Sequence, residues 1–334
     1  MKKVLMIATG GTIASKQGSD GLKPELTAQD VVDYIPSIKK KIWIDTEQLF
    51  NLDSTNISQK HWLKIAEKIE DKYEEYDGFV ICHGTDTMAY TAAALSYLIQ
   101  NSTKPIVLTG SQKPIDLEST DARGNLHDAI VYAGDENSCG VQIVFSNRAI
   151  LGTRARKINT KSLQAFDSIN YPAIAFIQDD TIIHYIALDR NKDTKFYKQM
   201  SDKVALIKIY PGINGDYLQY YLDKNDAVIV ESYGVGGLPI LDEYKFAEVI
   251  ENAVQNNKTI VFTTQVQNEG SDMSTYQVGN YFKNLKGILE AYDMTSEAVI
   301  TKLMWILSLT NDQNEISRLF YTPISNDILF PNIN

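Results

Sequence analysis

Only two cysteines, Cys82 and Cys139, occur in 334 residues, and no CxxC pair is among them. That excludes a disulfide framework and fits a reducing compartment best. Apolar runs are short. None approaches a transmembrane helix, and Val4 to Ala8 is too brief for a signal-peptide core before Thr9-Gly10-Gly11 begins. Positive charge is in deficit: the net charge of −10 argues against nucleic acid and anionic membrane surfaces as partners. The four histidines, His61, His83, His127 and His184, show no metal-ligand spacing. GxxxxGK[ST] and GxSxG are also missing, which removes a phosphate-binding loop and a hydrolase nucleophile elbow. What is left reads as a cytoplasmic enzyme.

What the chain does have is a series of apolar strands, each ending in a polar turn. Lys3 to Ala8 reads as a buried strand running into Thr9-Gly10-Gly11-Thr12-Ile13-Ala14-Ser15. The next dozen residues, to Pro24, lack periodicity and are expected to be a mobile loop, a candidate lid. Thr27 caps a short helix, 28–35. A strand over 41–50 leads to Asp53-Ser54-Thr55-Asn56, and Ser58 starts a long helix whose Trp62, Ile65, Ile69 and Tyr73 form a core stripe. Gly78 to Ile81 is the next strand. It opens into Cys82-His83-Gly84-Thr85-Asp86-Thr87-Met88 and then a helix to about residue 100. Pro105 to Leu108 precedes Thr109-Gly110-Ser111-Gln112.

Turns at the carboxyl ends of strands are where open α/β sheets hold ligands. Free N–H groups at a helix start suit an anion or oxyanion, and the Asp86 carboxylate suits an amine. The plainer alternative is that Asp86 or Thr87 merely caps the helix. Cys82, at the end of an apolar strand, is read as a core thiol rather than a nucleophile.

Further along, helix 125–133 and strand 141–145 precede a basic run of Arg148, Arg154, Arg156, Lys157 and Lys161. Alone, such a run reads as a solvated face. Residues 174–177 and 182–186 look like hairpin arms around Asp179-Asp180. Charged residues from 188 to 203 suggest a linker, after which strands at 204–209, 227–231 and 259–263 alternate with helices near 215–222, 242–256 and 296–309. Tyr233-Gly234-Val235-Gly236-Gly237 is a turn. The expected fold class is α/β: a larger N-terminal domain with a mostly parallel sheet (1–190), a linker (191–203) and a smaller C-terminal α/β domain (204–334).

The chemistry left open is that of hydroxyls on adjacent strand ends. A threonine is a poor nucleophile until a base takes its proton, and a lysine that is neutral in a dry site can do so. Lys157 is the lysine best placed by sequence.

The turns around Thr12, Asp53-Ser54-Thr55, His83 to Met88 and Thr109 to Gln112 together resemble the bacterial-type L-asparaginases, most closely their cytosolic, type I branch. The similarity runs from residue 1 to about 325 and includes Glu231-Ser232-Tyr233-Gly234 and Met294-Thr295-Ser296-Glu297-Ala298. The resemblance implies hydrolysis of L-asparagine to L-aspartate and ammonia through a threonine acyl-enzyme. Thr12 would be the nucleophile and Lys157 the base. Thr85 would relay the proton or activate water, and Asp86 would hold the α-amino group. Ser54 would grip the α-carboxylate with Asp53 and Thr55, Ser111 would line the amide, and N–H groups near Gly11 and Thr85 would form the oxyanion hole.

The resemblance also implies no metal or organic cofactor, and a homodimer or homotetramer with residues 265–276 reaching a neighbour's site. Where many relatives carry a loop tyrosine beside the first threonine, this chain has Gly21-Leu22-Lys23-Pro24, with Leu22 at the matching place. Two alternatives remain. One is the amidase component of a tRNA-dependent amidotransferase, which carries an extra N-terminal domain where this sequence starts at its first strand. The other is a non-catalytic amide-binding sensor. Arg154 and Lys161 are expected to be tolerant controls beside Lys157.

Overall fold

The computed structural model describes residues 1–18, 21–239, 241–275, 277–283 and 285–329. It divides into two compact units, Met1–Lys198 and Gln199–Asn334. In the first, eight strands form one sheet: β1 Lys3–Gly10, β2 Trp43–Leu52, β3 Gly78–Cys82, β4 Pro105–Thr109, β5 Gly140–Phe145, β6 Arg148–Leu151, β7 Ala175–Gln178 and β8 Thr181–His184. Their order across the sheet is β8-β7-β6-β5-β4-β3-β1-β2. From β2 to β5 every pairing is parallel, and β6, β7 and β8 add on antiparallel. Strands covered on both faces need apolar side chains throughout, so β3 and β4 are buried at every position.

The chain leaves β1 toward β2 on one side, then returns past β1 to build β3, β4 and β5 on the other. That reversal opens a crevice at the carboxyl ends of β1 and β3. The helices follow the expected crossovers: α1 Ala28–Asp33, α2 Gln59–Lys72, α3 Met88–Leu98 and α4 Ala122–Ala133. Thr27 and Asp30 form a reciprocal capping box on α1. Trp62, Ile65 and Ile69 of α2 are buried, each contributing about 1.5–3 kcal/mol. Positive φ at Asp179 (50°) and Asp180 (62°) lets those two residues turn the β7–β8 hairpin directly.

One expectation is corrected. The stretch after Ala14 is paired: Ser15–Gly18 runs antiparallel to Gly21–Pro24, with Gln17 opposite Leu22. The pairing joins strands of four residues, too short to leave a periodic pattern. Ser19 and Asp20 lie outside the described residues, as do the side chains of 17, 18 and 22–24.

The second unit has four parallel strands, β9 Val204–Lys208, β10 Ala227–Ser232, β11 Thr259–Thr264 and β12 Ile288–Glu290, in that order. Its helices are α5 Gly215–Lys224, α6 Phe246–Gln255, α7 Gln277–Lys283, α8 Ser296–Ile306 and α9 Gln313–Tyr321. The Tyr233-to-Gly237 turn closes on itself through a Tyr233–Gly237 bridge. Within 265–276, Met273–Thr275 is a single 3₁₀ turn and Tyr276 lies outside the described residues. Among the described residues no helix is long and apolar enough to cross a membrane.

Candidate active site

Three strand-end turns meet backbone to backbone in the crevice. Gly11 follows β1 with φ 82°, and its N–H donates to Leu52 O at 3.0 Å. A β-carbon at Gly11 would stand 2.4 Å from the backbone nitrogen of Gly84, and one at Gly84 would stand 2.6 Å from Ser54 Oγ. Only glycine fits either place. Ser15 Oγ donates to Gly11 O at 2.9 Å and holds that peptide in place. After β2, Asp53 Oδ1 accepts from both Thr55 N and Thr55 Oγ1 at 3.0 Å, which folds the loop that carries Ser54. Gly11, Thr12, Ser15, Asp53, Ser54, Gly84, Thr85 and Asp86 line a polar cavity of about 70 Å³.

Thr87 occupies the N-cap of α3 but makes no capping bond with its side chain. Its hydroxyl donates instead to Ser54 O at 2.7 Å and ties two site turns together. Asp86 does not cap either. Lys157 Nζ lies 2.6 Å from Asp86 Oδ1 and 2.8 Å from Thr85 Oγ1. Plain capping therefore does not account for this pair. A short antiparallel pairing of Ala155–Lys157 with Phe166–Ser168 brings the lysine there.

The basic run is not one solvated face, although Lys161 at its end is exposed. Lys157 is paired in the site, and Arg148 is 2.9 Å from Asp167. Arg154 is wholly buried, with its guanidinium 5.6 Å from the ring centre of Tyr171. Arg154 is thus no surface control. Sequence reasoning missed this because charge pattern does not report which members of a run face the core.

Behind the Thr85 turn, a hydrogen-bonded chain fixes the state of a buried histidine. Trp62 Nε1 donates to Thr91 Oγ1 at 2.9 Å, and Thr91 donates its own hydrogen to His83 Nε2 at 2.9 Å. His83 Nδ1–H then donates to Gly84 O at 2.7 Å. Burial pushes the pKa of His83 down to about 4, opposed in part by the Gly84 carbonyl. Cys82 is likewise buried, and desolvation pushes its thiol up to about 12, as suits a core residue.

Of the residues singled out from sequence, the structure brings Gly11, Thr12, Asp53, Ser54, Thr85 and Asp86 to one cavity, with Lys157 bonded to the last two. Thr55 is exposed and bonds Asp53 from outside the lining. Ser111 is buried outside it, with its hydroxyl donating to Lys113 O at 2.5 Å. Ser15, Thr87 and Gln112 were given no role, although each stands in a polar turn already picked out. Gln112 Oε1 accepts from Thr85 Oγ1 at 3.2 Å.

The family model for the N-terminal asparaginase domain matches residues 3–189, and that for the glutaminase/asparaginase C-terminal domain matches 203–320. An L-asparaginase of Thermococcus kodakarensis is 37% identical over 329 residues, covering 98% of this chain and 99% of that protein. The solved thermostable L-asparaginase from that organism superposes with a TM-score of 0.92 at 36% identity, over 98% of this chain and 99% of that one. L-asparaginase I from Vibrio cholerae gives 0.87 at 28% identity, with the same coverage. A component of the glutamyl-tRNA(Gln) amidotransferase of Pyrococcus abyssi is 33% identical over 344 residues, covering 98% of this chain and 77% of that protein.

Proposed function

Because the chain belongs to the asparaginase family, whose models match most of its length, we propose that this amidohydrolase cleaves L-asparagine through a threonine acyl-enzyme. The observation that carries the reading is Lys157 Nζ within hydrogen-bond reach of Thr85 and Asp86, on the wall of a cavity that Thr12 also lines. Thr12 Oγ attacks the side-chain amide carbon, and the C–N bond breaks. The hydroxyl proton passes by way of Thr85 and Lys157 to the departing ammonia. Water then attacks the ester, releases aspartate and returns a proton to Thr12. Asp86 faces the substrate's ammonium, Ser54 and Asp53 lie at its carboxylate, and N–H groups near Gly11 and Thr85 receive the oxyanion.

The test is ammonia release from asparagine by the wild-type chain, Thr12→Ala and Lys157→Met. Each substitution should cost at least about a thousandfold in turnover, with melting little changed. A folded variant with near-native turnover would remove that residue from its role. Two free, buried cysteines support a cytoplasmic setting. The homodimer or homotetramer is carried over from the family resemblance, and light scattering of the purified protein tests it.

The similarity to the amidotransferase component supports a second reading, an amidase that feeds ammonia to a tRNA-bound substrate. The acidic charge weighs against an RNA partner. Glutamine hydrolysis that rises on adding charged tRNA and the rest of an amidotransferase would favour it.

A further inference from the structure

Thr85 Oγ1 has one hydrogen and two neighbours, Lys157 Nζ at 2.8 Å and Gln112 Oε1 at 3.2 Å. When Lys157 carries three hydrogens, it donates to Thr85 Oγ1 and to Asp86 Oδ1. It then accepts nothing, and the hydrogen of Thr85 turns to Gln112. The orientation of the Gln112 amide is fixed by its other end, since Nε2 donates to Asn159 O at 3.3 Å and to Ser162 O at 3.1 Å. A flipped amide would set its oxygen against two carbonyls. The backbone is held as well. Asp121, at the start of α4, accepts from Gln112 N at 2.9 Å and from Lys113 N at 3.1 Å.

We infer that Gln112 is a positioning residue for the proposed reaction: it holds the Thr85 hydroxyl hydrogen away from the cavity. One lone pair of Thr85 then meets Lys157, and the other is left to accept a hydrogen bond from Thr12 or water; the proton itself passes only once Lys157 is neutral. When Lys157 is neutral, the same hydroxyl swings from Gln112 to the amine. The two acceptors thus define the two ends of the relay, and no atom beyond one hydrogen has to move. This rests on the threonine reading above and adds a group for which that reading has no role.

Gln112→Met keeps the length of the side chain and deletes its polar atoms. It should lower kcat for asparagine roughly ten- to a hundredfold. KM should stay within about threefold, because Gln112 does not line the cavity. In a Thr85→Val background there is no hydroxyl to orient, so Gln112→Met should change the residual turnover by less than about twofold. A residue that only braces the 159–162 loop would cost the same in both backgrounds, and that result overturns the proposal. So does an unchanged kcat in Gln112→Met. A wild-type chain that releases no ammonia from asparagine would sink the functional reading and this proposal with it.

Discussion

A histidine with no route to water sits directly behind the turn that carries Thr85 and Asp86. Its ring is neutral in the fold, with both nitrogens hydrogen-bonded. The folded pKa of about 4 lies below the ordinary 6.5, so between those values the unfolded chain binds a proton that the folded chain refuses. The resulting stability is fully present above pH 6.5 and is lost as pH falls through 4, in all about 3 kcal/mol. Calorimetry across that window should show a steeper fall of Tm in the wild type than in His83→Gln. Parallel slopes would mean that other groups govern the acid limb. At this scale the sequence was readable where polar turns end neighbouring strands: Thr12, Thr85 and Asp86 line one cavity, and Lys157 bonds the last two. It was silent where burial decides: Arg154 and Gln112 owe their surroundings to packing across distant loops.

The β7–β8 hairpin is held to the rest of its unit by two histidine–carboxylate pairs. His127 of α4 reaches Asp180 in the hairpin turn at 3.0 Å, and His184 of β8 reaches Asp135 beyond α4 at 2.9 Å. Lys41 also bonds Asp180. The pKa of His127 is raised, first by its hydrogen bond to Asp128 and further by the charge of Asp180, against the opposing effect of burial. A raised histidine stabilises below its unfolded value of 6.5, and that contribution is lost as pH rises through the folded value. Asp180→Asn should therefore lower Tm more at about pH 5.5 than at about pH 8.5. An equal loss at both would assign the latch to Lys41 alone. The hairpin itself was legible because two aspartates stand between apolar arms. The 15–18/21–24 pairing and β6 were not: the first has no apolar arms, and the second lies inside a run read for its basic charge.

Taken whole, the chain announces its class through short apolar runs separated by helical stretches, the mark of parallel sheets buried on both faces. The two thiols, Cys82 and Cys139, are buried and unpaired. Adding reductant should leave Tm unchanged, and a drop of several degrees would mean that a disulfide had formed. The sheet order carries one more consequence, for synthesis. Strand β1 is apolar throughout its core, and its Val4 pairs with Ile44 on one side and with Gly78 on the other. At about 5–20 residues per second, Gly78 is made roughly 4–15 s after Val4. The strand that leads to the Gly11–Thr12 turn is the first of its sheet to be translated, yet it stays half-unpaired until its downstream neighbours leave the ribosome. During those seconds its backbone lacks the partner that the finished sheet supplies on the β3 side.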